Sequence, residues 1–558
     1  MQPVVSAEQM RQIDRLTVEN FQVPALLLME SAANACLRAI TSRFPETLPL
    51  KKVRILCGPG NNGGDGAALA RVLCGAGVHS DVVLFGRVDD TKGDARTNFE
   101  IIRQLASFEA GSSAAPSPVS FVECQSIQEW EEIAKPRRTY DIVVDALFGT
   151  GLVRPLQGIY LQVIQHLSML RGARERAHKG KPLILSIDIP SGLNADLAEP
   201  IGEAVQADLT VTFTAPKPAN VLPPASLYCG ELIVANIGSP PTLIEATAPR
   251  LFVMEAEDAQ RWLESTRYSP ESYKNTHGHA LIIAGSPDYS GAAALCGNAA
   301  ARAGAGLVTI ATSASAQNSV ASRAMSEVMT TALRETDRGV VSDEAVDHVN
   351  RLAAKATVMA VGPGLTANDE RTRRFVRLIV EKRSTPVVID ADGLNCLGPW
   401  PAELKGTAEH PLIITPHPGE MLRLLGTANK AALADRVSVA REFATAHNLI
   451  VVLKGSRSLI AAPDGRVLVN ATGNPGLGTA GAGDTLTGVI AGFLAQAYAS
   501  AKELANAFTA TCAAVYISSL AGDLAARKLG MRGMVASDIR EHLAAAMCFL
   551  DPEGELPK

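Results

Sequence analysis

The sequence lacks the patterns that are typical of secreted, membrane-spanning and nucleic-acid-binding proteins. Its nine cysteines are scattered singly and form no CxxC pair, which indicates reduced thiols in a reducing compartment and not a disulfide framework. No uncharged apolar run reaches the roughly 18 residues that a spanning helix needs. The first residues show no basic stretch followed by an apolar one, as a secretory signal would. We therefore expect a soluble cytoplasmic protein with no membrane partner.

An excess of positive charge is also missing. The formal net charge is −5, 20% of the residues are charged, and the basic residues do not cluster. The composition therefore gives no reason to expect nucleic acid as a partner. At 558 residues the chain is too long for a single core, and the usual size of domains suggests roughly two to four of them.

Short apolar runs alternate with helical stretches in the first part of the chain. Helical spacing in residues 6–40 is interrupted at Pro24, which predicts two helices. The runs that follow are rich in β-branched residues and polar mainly at their ends, as in strands buried on both faces of a parallel sheet. They are residues 53–57, 81–85, 141–145, 183–188, 209–213 and 232–235. This pattern predicts a doubly wound α/β domain over residues 1–245.

A second alternating series follows a change of composition. Proline and serine in residues 239–272 predict a domain junction near 245 and an extended crossing segment up to about 272. Asp464-Gly465, between two apolar pairs, predicts a hairpin. The other predicted strands are residues 279–285, 306–310, 358–362, 387–390, 412–415 and 450–454. A second α/β domain is therefore expected over residues 246–558, whereas the low-complexity residues 110–118 predict a surface loop.

A glycine-rich turn in the second domain has the features of a catalytic turn. Residues 473–484 hold five glycines in twelve positions, which gives little to bury but allows close backbone approach. An apolar helical stretch follows, so Gly481, Gly483 and Asp484 lie where a helix begins, and free amides with the helix dipole make an anion site there. Asp484 would repel an anion unless it handles a proton or a cation is near. The alternative is a structural N-cap aspartate.

Three polar loops follow three predicted strands of the first domain. The glycine turn at residues 58–66 lacks both the GxGxxG spacing of a dinucleotide fingerprint and the Gly-Lys-Ser/Thr of a P-loop. Asp145 and Asp188 open the other two loops, and all three loops converge because the carboxyl ends of parallel strands share one edge. Asn62, Asp145 and Ser191 would supply one carboxylate and uncharged oxygens, a set that suits a monovalent cation. The alternative is a tight connection capped by its aspartate.

Together, residues 61–66 (NNGGDG), 145–151 (DALFGTG) and 188–192 (DIPSG) resemble the motifs of the NAD(P)H-hydrate epimerase family, the YjeF N-terminal domain, over about residues 1–240. The resemblance implies a Rossmann-like fold that interconverts the R and S forms of NADHX and NADPHX, nicotinamides hydrated at C6. It implies Asp188 as the acid/base residue and K⁺ held by Asn62, Asp145 and Ser191. The implied substrate-binding residues are Asn61, Asn62, Gly63, Gly64, Asp65, Gly149, Thr150, Gly151, Leu152, Val153, Arg154, Pro155, Tyr160 and Asp188.

The second half resembles the ADP-dependent NAD(P)H-hydrate dehydratase family, on a ribokinase-like fold, over about residues 265–550. The motifs are residues 304–308 (GAGLV), 361–365 (VGPGL), 390–395 (DADGLN), 415–421 (TPHPGEM), 453–455 (LKG) and 481–484 (GAGD). The loop with His417 is the discriminating motif, because general sugar kinases of the superfamily share the glycine turn without it. One departure is Thr366, where the family more often has glycine.

This second resemblance implies a reaction in which Asp484 deprotonates the C6 hydroxyl and the terminal phosphate of ADP is transferred, giving NAD(P)H, AMP and phosphate, with Mg²⁺ as cofactor. The implied hydrate-binding residues are Ala292, Gly364, His417 and Asp484. The implied nucleotide-binding residues are Lys454, Gly455, Ser456, Arg457, Ser458 and Gly483.

The expected protein is thus a bifunctional metabolite-repair enzyme that acts on NADHX, NADPHX and ADP, forms a homo-oligomer (a tetramer), and uses K⁺ in its first domain. Two alternatives remain open at this point. One is a ribokinase-like small-molecule kinase joined to a ligand-binding domain, which would phosphorylate its substrate from ATP without forming NAD(P)H. The other is a non-catalytic sensor of nicotinamide state, although the presence of both Asp188 and Asp484 argues against it.

Overall fold

Two α/β units make up the chain. The computed structural model describes residues 1–107, 119–135, 139–177, 182–499 and 506–555. One compact unit is Pro3–Pro249, here the N-terminal unit, and the other is Arg250–Lys558, here the C-terminal unit, with which Met1 and Gln2 are grouped. The division lies within a few residues of the predicted junction near 245. The surface loop predicted at residues 110–118 lies outside the described residues.

The N-terminal unit is built on a parallel sheet. After the short strand β1 (Gln2–Val4), its strands are β2 (Lys52–Cys57), β3 (His79–Phe85), β4 (Val119–Cys124), β5 (Ile142–Ala146), β6 (Leu183–Ile187), β7 (Leu209–Phe213) and β8 (Glu231–Ala235). They lie in the order β4-β3-β2-β5-β6-β7-β8, with parallel pairing throughout. Every residue of β5 and β7 is buried, which explains their apolar sequences. The sequence did not predict β4, an edge strand whose central residues are partly exposed.

Helices surround this sheet. They are α1 (Ala7–Phe21), α2 (Ala25–Arg43), α3 (Asn61–Gly75), α4 (Gly93–Ser107), α5 (Ile127–Ala134), α6 (Gly158–Ala177), α7 (Pro218–Val221) and α8 (Pro241–Ala246). The predicted break at Pro24 is confirmed. Ser6 and Gln9 form a capping box at the start of α1, and the helix ends at Gln22, whose φ is +54°. The connection therefore turns the chain sharply into α2.

The C-terminal unit has a larger sheet. Its strands are β9 (Leu251–Val253), β10 (His279–Ile283), β11 (Leu307–Ser313), β12 (Met329–Leu333), β13 (Val358–Val361), β14 (Val387–Ile389), β15 (Leu412–Ile414), β16 (Ile450–Leu453), β17 (Leu459–Ala461) and β18 (Val467–Val469). Their order is β9-β18-β17-β16-β15-β14-β13-β10-β11-β12. The hairpin predicted at Asp464-Gly465 is confirmed, because β17 and β18 pair antiparallel.

The helices of this unit include one that lies in the segment predicted to be extended. They are α9 (Ala256–Ser265), α10 (Ser290–Arg302), α11 (Gln317–Ala321), α12 (Val346–Ala353), α13 (Glu370–Glu381), α14 (Asp392–Leu397), α15 (Pro418–Leu424), α16 (Arg436–Ala446), α17 (Ala482–Ala499), α18 (Ala507–Leu529), α19 (Ala536–Glu541), α20 (Leu543–Leu550) and α21 (Pro552–Glu555). The prediction of an extended crossing segment was wrong, since β9 and α9 lie within it. Burial stabilises α9, because its residues Ala259, Trp262 and Leu263 lie in the core.

Glycines bring α10 and α17 into close backbone contact. A Cβ added at Gly488 would lie 2.1 Å from the carbonyl oxygen of Cys296, and one at Gly492 would lie 2.7 Å from that of Ala300. No larger side chain fits either position without moving a helix. The two helices therefore form a tightly packed pair.

The helix α18 is long and apolar enough to cross a membrane by its length and composition alone. However, 72% of its apolar window is buried within the protein, and residues such as Ala513, Ala514 and Ile517 belong to the core. It has the burial of a core helix.

The cysteines are all free, and most are buried.

Candidate active sites

A cavity of about 600 Å³ opens at the carboxyl edge of the N-terminal sheet. Its walls come from the loops that follow β2, β5 and β6, together with α1 and α2. Of the predicted substrate-binding residues, the lining includes Asn61, Asn62, Asp65, Gly149, Thr150, Gly151, Leu152 and Asp188. The described cavity wall does not include Gly63, Gly64, Val153, Arg154, Pro155 or Tyr160. The sequence thus located the cavity. Val153, Arg154 and Pro155 are exposed outside its wall, whereas Gly63, Gly64 and Tyr160 support the wall from behind.

Two of those supporting residues show how they act. Gly63 packs so closely that an added Cβ would lie 1.8 Å from the carbonyl oxygen of Gly58. The ring of Tyr160 meets that of Phe148, a lining residue, edge to face at 4.8 Å, and its hydroxyl donates to the carbonyl of Phe85 at 3.2 Å. Both residues shape the wall of the cavity.

Asp188 is held in the cavity by a lysine that the sequence did not single out. Asp188 follows β6 with a φ of +65°. Its Oδ1 accepts hydrogen bonds from Lys217 Nζ at 2.6 Å and from Thr212 Oγ1 at 3.0 Å. Lys217 is only 1% exposed, so its charge is balanced inside the protein. The second oxygen, Oδ2, lies toward Gly149, where an added Cβ would be 3.2 Å away. One carboxylate oxygen is therefore fixed and the other faces the cavity wall.

Asp145 and Ser191 form a second buried cluster beside this cavity. Ser191 donates to Asp145 through its hydroxyl at 2.6 Å and through its amide at 2.9 Å, and Ser186 Oγ donates at 2.8 Å. Burial raises the pKa of Asp145, while these hydrogen bonds oppose the rise. The carbonyl of Phe148 lies 3.2 Å from Ser191 Oγ. Carboxylate, hydroxyl and carbonyl oxygens thus meet at one point.

The third predicted K⁺ ligand, Asn62, lies in the cavity wall. Its Oδ1 is directed toward Gly149, where an added Cβ would be 3.1 Å away, and its buried Nδ2 has no hydrogen-bond partner within the described residues. Within the described residues, Asp145 is therefore hydrogen-bonded to Ser191 directly, and neither is hydrogen-bonded to Asn62.

The second site lies at the start of α17 in the C-terminal unit. Gly481 has a φ of +84° and lies against Leu295 of α10. The helix begins at Ala482, two residues before Asp484, so the carboxylate projects from the first turn. Burial raises the pKa of Asp484 to about 7; the charge of Asp390 adds to the rise and that of Lys454 opposes it. A carboxyl group with this pKa can accept a proton near neutrality.

Lys454 is the cation of this site. Its Nζ donates to Asp390 Oδ1 at 2.7 Å and lies 3.8 Å from Glu420 Oε2. A Cβ added at Gly483 would lie 3.3 Å from the same Nζ. Thr487 holds the other oxygen of Asp390 at 2.8 Å. The structure therefore brings together two predicted nucleotide-binding residues, Lys454 and Gly483, and it adds Asp390 as the residue that orients the lysine.

Arg436 anchors the loop that begins at Lys454. The guanidinium of Arg436 donates to the carbonyls of Leu453, Lys454 and Ser456 at 3.3, 3.4 and 3.3 Å. Gly455 and Ser456 are exposed. The predicted nucleotide-binding residues 454–458 thus form one accessible loop whose backbone is anchored by a half-buried arginine.

His417 caps α15. Its Nδ1 accepts from the amides of Gly419 at 3.0 Å and Glu420 at 3.3 Å, while its own amide donates to Glu420 Oε2 at 2.8 Å. Because Nδ1 is an acceptor, the neutral ring carries its proton on Nε2. The side chain is 57% exposed, so this N–H is available to a ligand.

Gly364 and Ala292, two predicted hydrate-binding residues, are neighbours. A Cβ added at Gly364 would lie 2.7 Å from Tyr289 Cβ and 3.2 Å from Ala292 Cβ. Thr366, where the pattern more often has glycine, has a φ of +73°. That left-handed conformation explains the usual glycine, since other residues adopt it at a cost.

Comparison with known proteins identifies the family. The family described as YjeF-related protein N-terminus matches residues 25–219, and NAD(P)H-hydrate dehydratase matches residues 280–545. The bifunctional NAD(P)H-hydrate repair enzyme Nnr of Moorella thermoacetica is 36% identical over 99% of this chain and 98% of its own length. The protein of the same name from Thermofilum pendens is 35% identical over 99% and 97%. The chain belongs to the bifunctional NAD(P)H-hydrate repair enzyme family.

Membership of this repair family confirms the predicted class of enzyme and both predicted folds, Rossmann-like in the N-terminal unit and ribokinase-like in the C-terminal unit. A solved ADP/ATP-dependent NAD(P)H-hydrate dehydratase from Bacillus subtilis, co-crystallised with ATP/Mg²⁺, is 28% identical with a TM-score of 0.44, and it covers 54% of this chain and 99% of that one. Lys217 and Asp390 are among the residues of the repair enzyme's sites for which the sequence indicated no role.

Proposed function

We propose that the N-terminal unit interconverts the R and S forms of NAD(P)H-hydrate, and that the C-terminal unit dehydrates the S form with ADP to give NAD(P)H, AMP and phosphate. The observation that carries this proposal is the placement of Asp484. It combines a pKa of about 7 with a position at a glycine-rich helix N-terminus beside Lys454. A base, an anion site and a cation are what phosphoryl transfer to a hydroxyl requires.

In the first step of dehydration, Asp484 takes the proton of the C6 hydroxyl, whose oxygen attacks the terminal phosphorus of ADP. AMP leaves with the electrons of the broken P–O bond. The amides of residues 481–483 and the Lys454 ammonium stabilise the developing charge. Phosphate then departs from C6 with its bonding electrons, and loss of a proton from C5 restores the C5–C6 double bond. Phosphate is the better leaving group, so this route avoids expelling hydroxide.

Other residues supply binding in this unit. The Nε2–H of His417 and the walls at Ala292 and Gly364 receive the hydrate, and the 454–458 loop receives the nucleotide. The carboxylates of Asp390, Glu420 and Asp484 share one lysine, which leaves an excess of negative charge. That excess fits Mg²⁺ bound chiefly through nucleotide phosphates, where it would neutralise phosphate charge.

In the N-terminal unit, Asp188 exchanges a proton with the substrate while the C6 hydroxyl leaves and returns or while the ring opens and recloses. The fixed contact with Lys217 orients the carboxylate. Asp145, Ser191 and the Phe148 carbonyl, with Asn62 across the wall, offer the oxygens that fit K⁺. Bound there, K⁺ would offset negative charge on the substrate. We expect the repair enzyme to be cytoplasmic and to form a homotetramer. Sedimentation of the purified chain would test the oligomeric state.

The deciding experiment follows dihydronicotinamide absorbance from mixed R,S-NADHX with Mg²⁺, with ADP, with ATP and without nucleotide. Complete recovery that requires nucleotide supports both activities. Recovery that stops at the S fraction contradicts the epimerase assignment alone. A phosphorylated product formed from ATP without NADH supports the small-molecule kinase instead.

Two variants assign the activities to their units. Asp188→Asn should stop recovery at the S fraction, and Asp484→Asn should abolish recovery while nucleotide binding persists. If either variant recovers NADH as the wild-type chain does, the role proposed for that aspartate is wrong.

A further inference from the structure

The cavity of the N-terminal unit contains an acidic residue that the proposed chemistry leaves without a role. Asp14 lies on α1 and lines the cavity with Met10 and Arg11. Its Oδ1 is buried and has no hydrogen-bond partner within the described residues. A buried carboxyl oxygen without a partner costs free energy, so its retention in a ligand cavity indicates a use for it.

Asp14 and Asp188 reach the cavity from different elements. Asp14 comes from helix α1, whereas Asp188 comes from the carboxyl end of β6. Lys217 and Thr212 hold Asp188 in place, so its carboxylate cannot swing across the cavity. Inversion at C6 moves the hydroxyl from one face of the ring to the other. A ring bound in one orientation therefore needs a proton-transfer group near each face.

We propose that Asp14 is the second proton-transfer residue of the epimerase, an inference that rests on the function proposed above for this cavity. Asp14 in its acid form gives a proton to the C6 hydroxyl as the C6–O bond breaks, and the N1 lone pair forms a C6=N1 double bond as water leaves. Water then adds to the opposite face, the electron pair returns to N1, and the Asp188 carboxylate takes the proton of the added water. The other epimer follows the same steps in reverse.

The electrostatics of the cavity agree with this role. Burial raises the pKa of Asp14 to about 6; the Lys217 ammonium opposes the rise and the Asp188 charge adds to it. Asp65, on α3, has a pKa raised well above its usual value by burial and then by Asp188 and Asp14. The remaining charged groups of the cavity lining are Arg11, on the same helix as Asp14, and Asp94, at the start of α4. The negative charge of Asp188 therefore favours the acid form of Asp14, which is the form that the proposed step requires.

The test uses the full chain without nucleotide, so that dehydration does not run. Purified R-NADHX is converted to the R,S mixture, which chromatography measures after subtraction of the uncatalysed rate. Asp14→Asn should lower kcat/KM by about 10²–10⁴-fold. The matched control, Glu19→Gln, changes an exposed acid on the same helix and should keep the wild-type rate. Hydrogen exchange resolved by peptide over the N-terminal unit shows whether Asp14→Asn is folded there.

The pH profile separates proton transfer from a structural role. In the wild-type chain, kcat/KM should fall as the pH rises above about 6, because Asp14 loses the proton that it donates, and Asp14→Asn should lack this fall. A wild-type rate in Asp14→Asn overturns the inference. A slow variant that keeps the wild-type alkaline fall also overturns it. If the wild-type chain itself does not epimerise R-NADHX, the proposed function of the unit fails and the inference fails with it.

Discussion

The two units each place an aspartate and a lysine near the carboxyl ends of parallel strands, yet they couple them differently. In the N-terminal unit, Lys217 binds the reacting carboxylate of Asp188 directly and is 1% exposed. In the C-terminal unit, Lys454 is held by Asp390 instead and its side chain is 20% exposed. Asp484, which pairs with no lysine among the described residues, has its pKa raised to about 7.

This difference separates two uses of the same pair of residues. A fully buried lysine cannot contact a ligand, so Lys217 serves to orient Asp188. A partly exposed lysine held by a third residue can meet a phosphate, and the nearby aspartate can then act as a base. The arrangement of the pair, and not its composition, decides whether the cation serves the base or the substrate.

The largest effect is expected at Asp484. Asp484→Asn keeps the size of the side chain but removes the base, so dehydration of S-NADHX by ADP should slow by about 10²–10⁴-fold. Epimerisation and ADP affinity should be unchanged, as measured by chromatography and calorimetry. Asp188→Asn is the matched control, because it should leave dehydration of the pure S form intact. A loss of dehydration in both variants would contradict the separation of roles.

A large effect on stability is expected at Lys217. Lys217→Met leaves Asp188 buried without its cation, which should destabilise the N-terminal unit by about 3–5 kcal/mol. The double variant with Asp188→Asn should regain part of this loss, because the unpaired charge is then gone. Hydrogen exchange resolved by peptide measures the two units separately. A single variant as stable as the wild-type chain would show that Lys217 does not balance Asp188.

A smaller effect concerns pH. Dehydration requires ionised Asp484, whose pKa is raised to about 7. Below that pH, kcat/KM should rise about tenfold per pH unit, and it should level off above it. Nucleotide affinity measured over the same range controls for ionisation of ADP. A dehydration rate that stays constant between about pH 5 and pH 7 would exclude Asp484 as the base.

The smallest effect is expected at Thr366. Its φ of +73° strains any residue with a Cβ, so Thr366→Gly should stabilise the C-terminal unit by about 0.5–1 kcal/mol. Thr366→Ala is the matched control, since it removes the hydroxyl but keeps the strain. Thermal unfolding compares the two. Equal shifts in both variants would assign the effect to the hydroxyl and not to the backbone.

The sequence predicted most of the strands, because buried parallel strands have continuous apolar sequences. It missed β4 and β12, whose residues are partly exposed, and β9, which has three residues in a proline-rich region. Such strands have too little periodic signal to separate them from loops. Their position at or near a sheet edge is decided by tertiary pairing alone.

The candidate sites were predicted where a motif marks a strand end, as at Asp188 and Asp484. Lys217 lies between two prolines, 29 residues from its partner in the chain, and no local pattern pairs them. Asp14 follows the buried Ile13 on an amphipathic helix, where a polar residue ordinarily indicates solvent. Only the fold brings Lys217 to Asp188 and Asp14 to the cavity.

The glycine contact between α10 and α17 has a consequence for how the C-terminal site can be altered. Asp484 projects from α17 and Ala292 from α10, and Gly488 and Gly492 lock these helices together. The base and one wall of the hydrate pocket therefore behave as a single block. Changes of substrate scope, in evolution or by engineering, are open to the loops that carry His417 and Gly364, while the helical side of the pocket is fixed by its own packing.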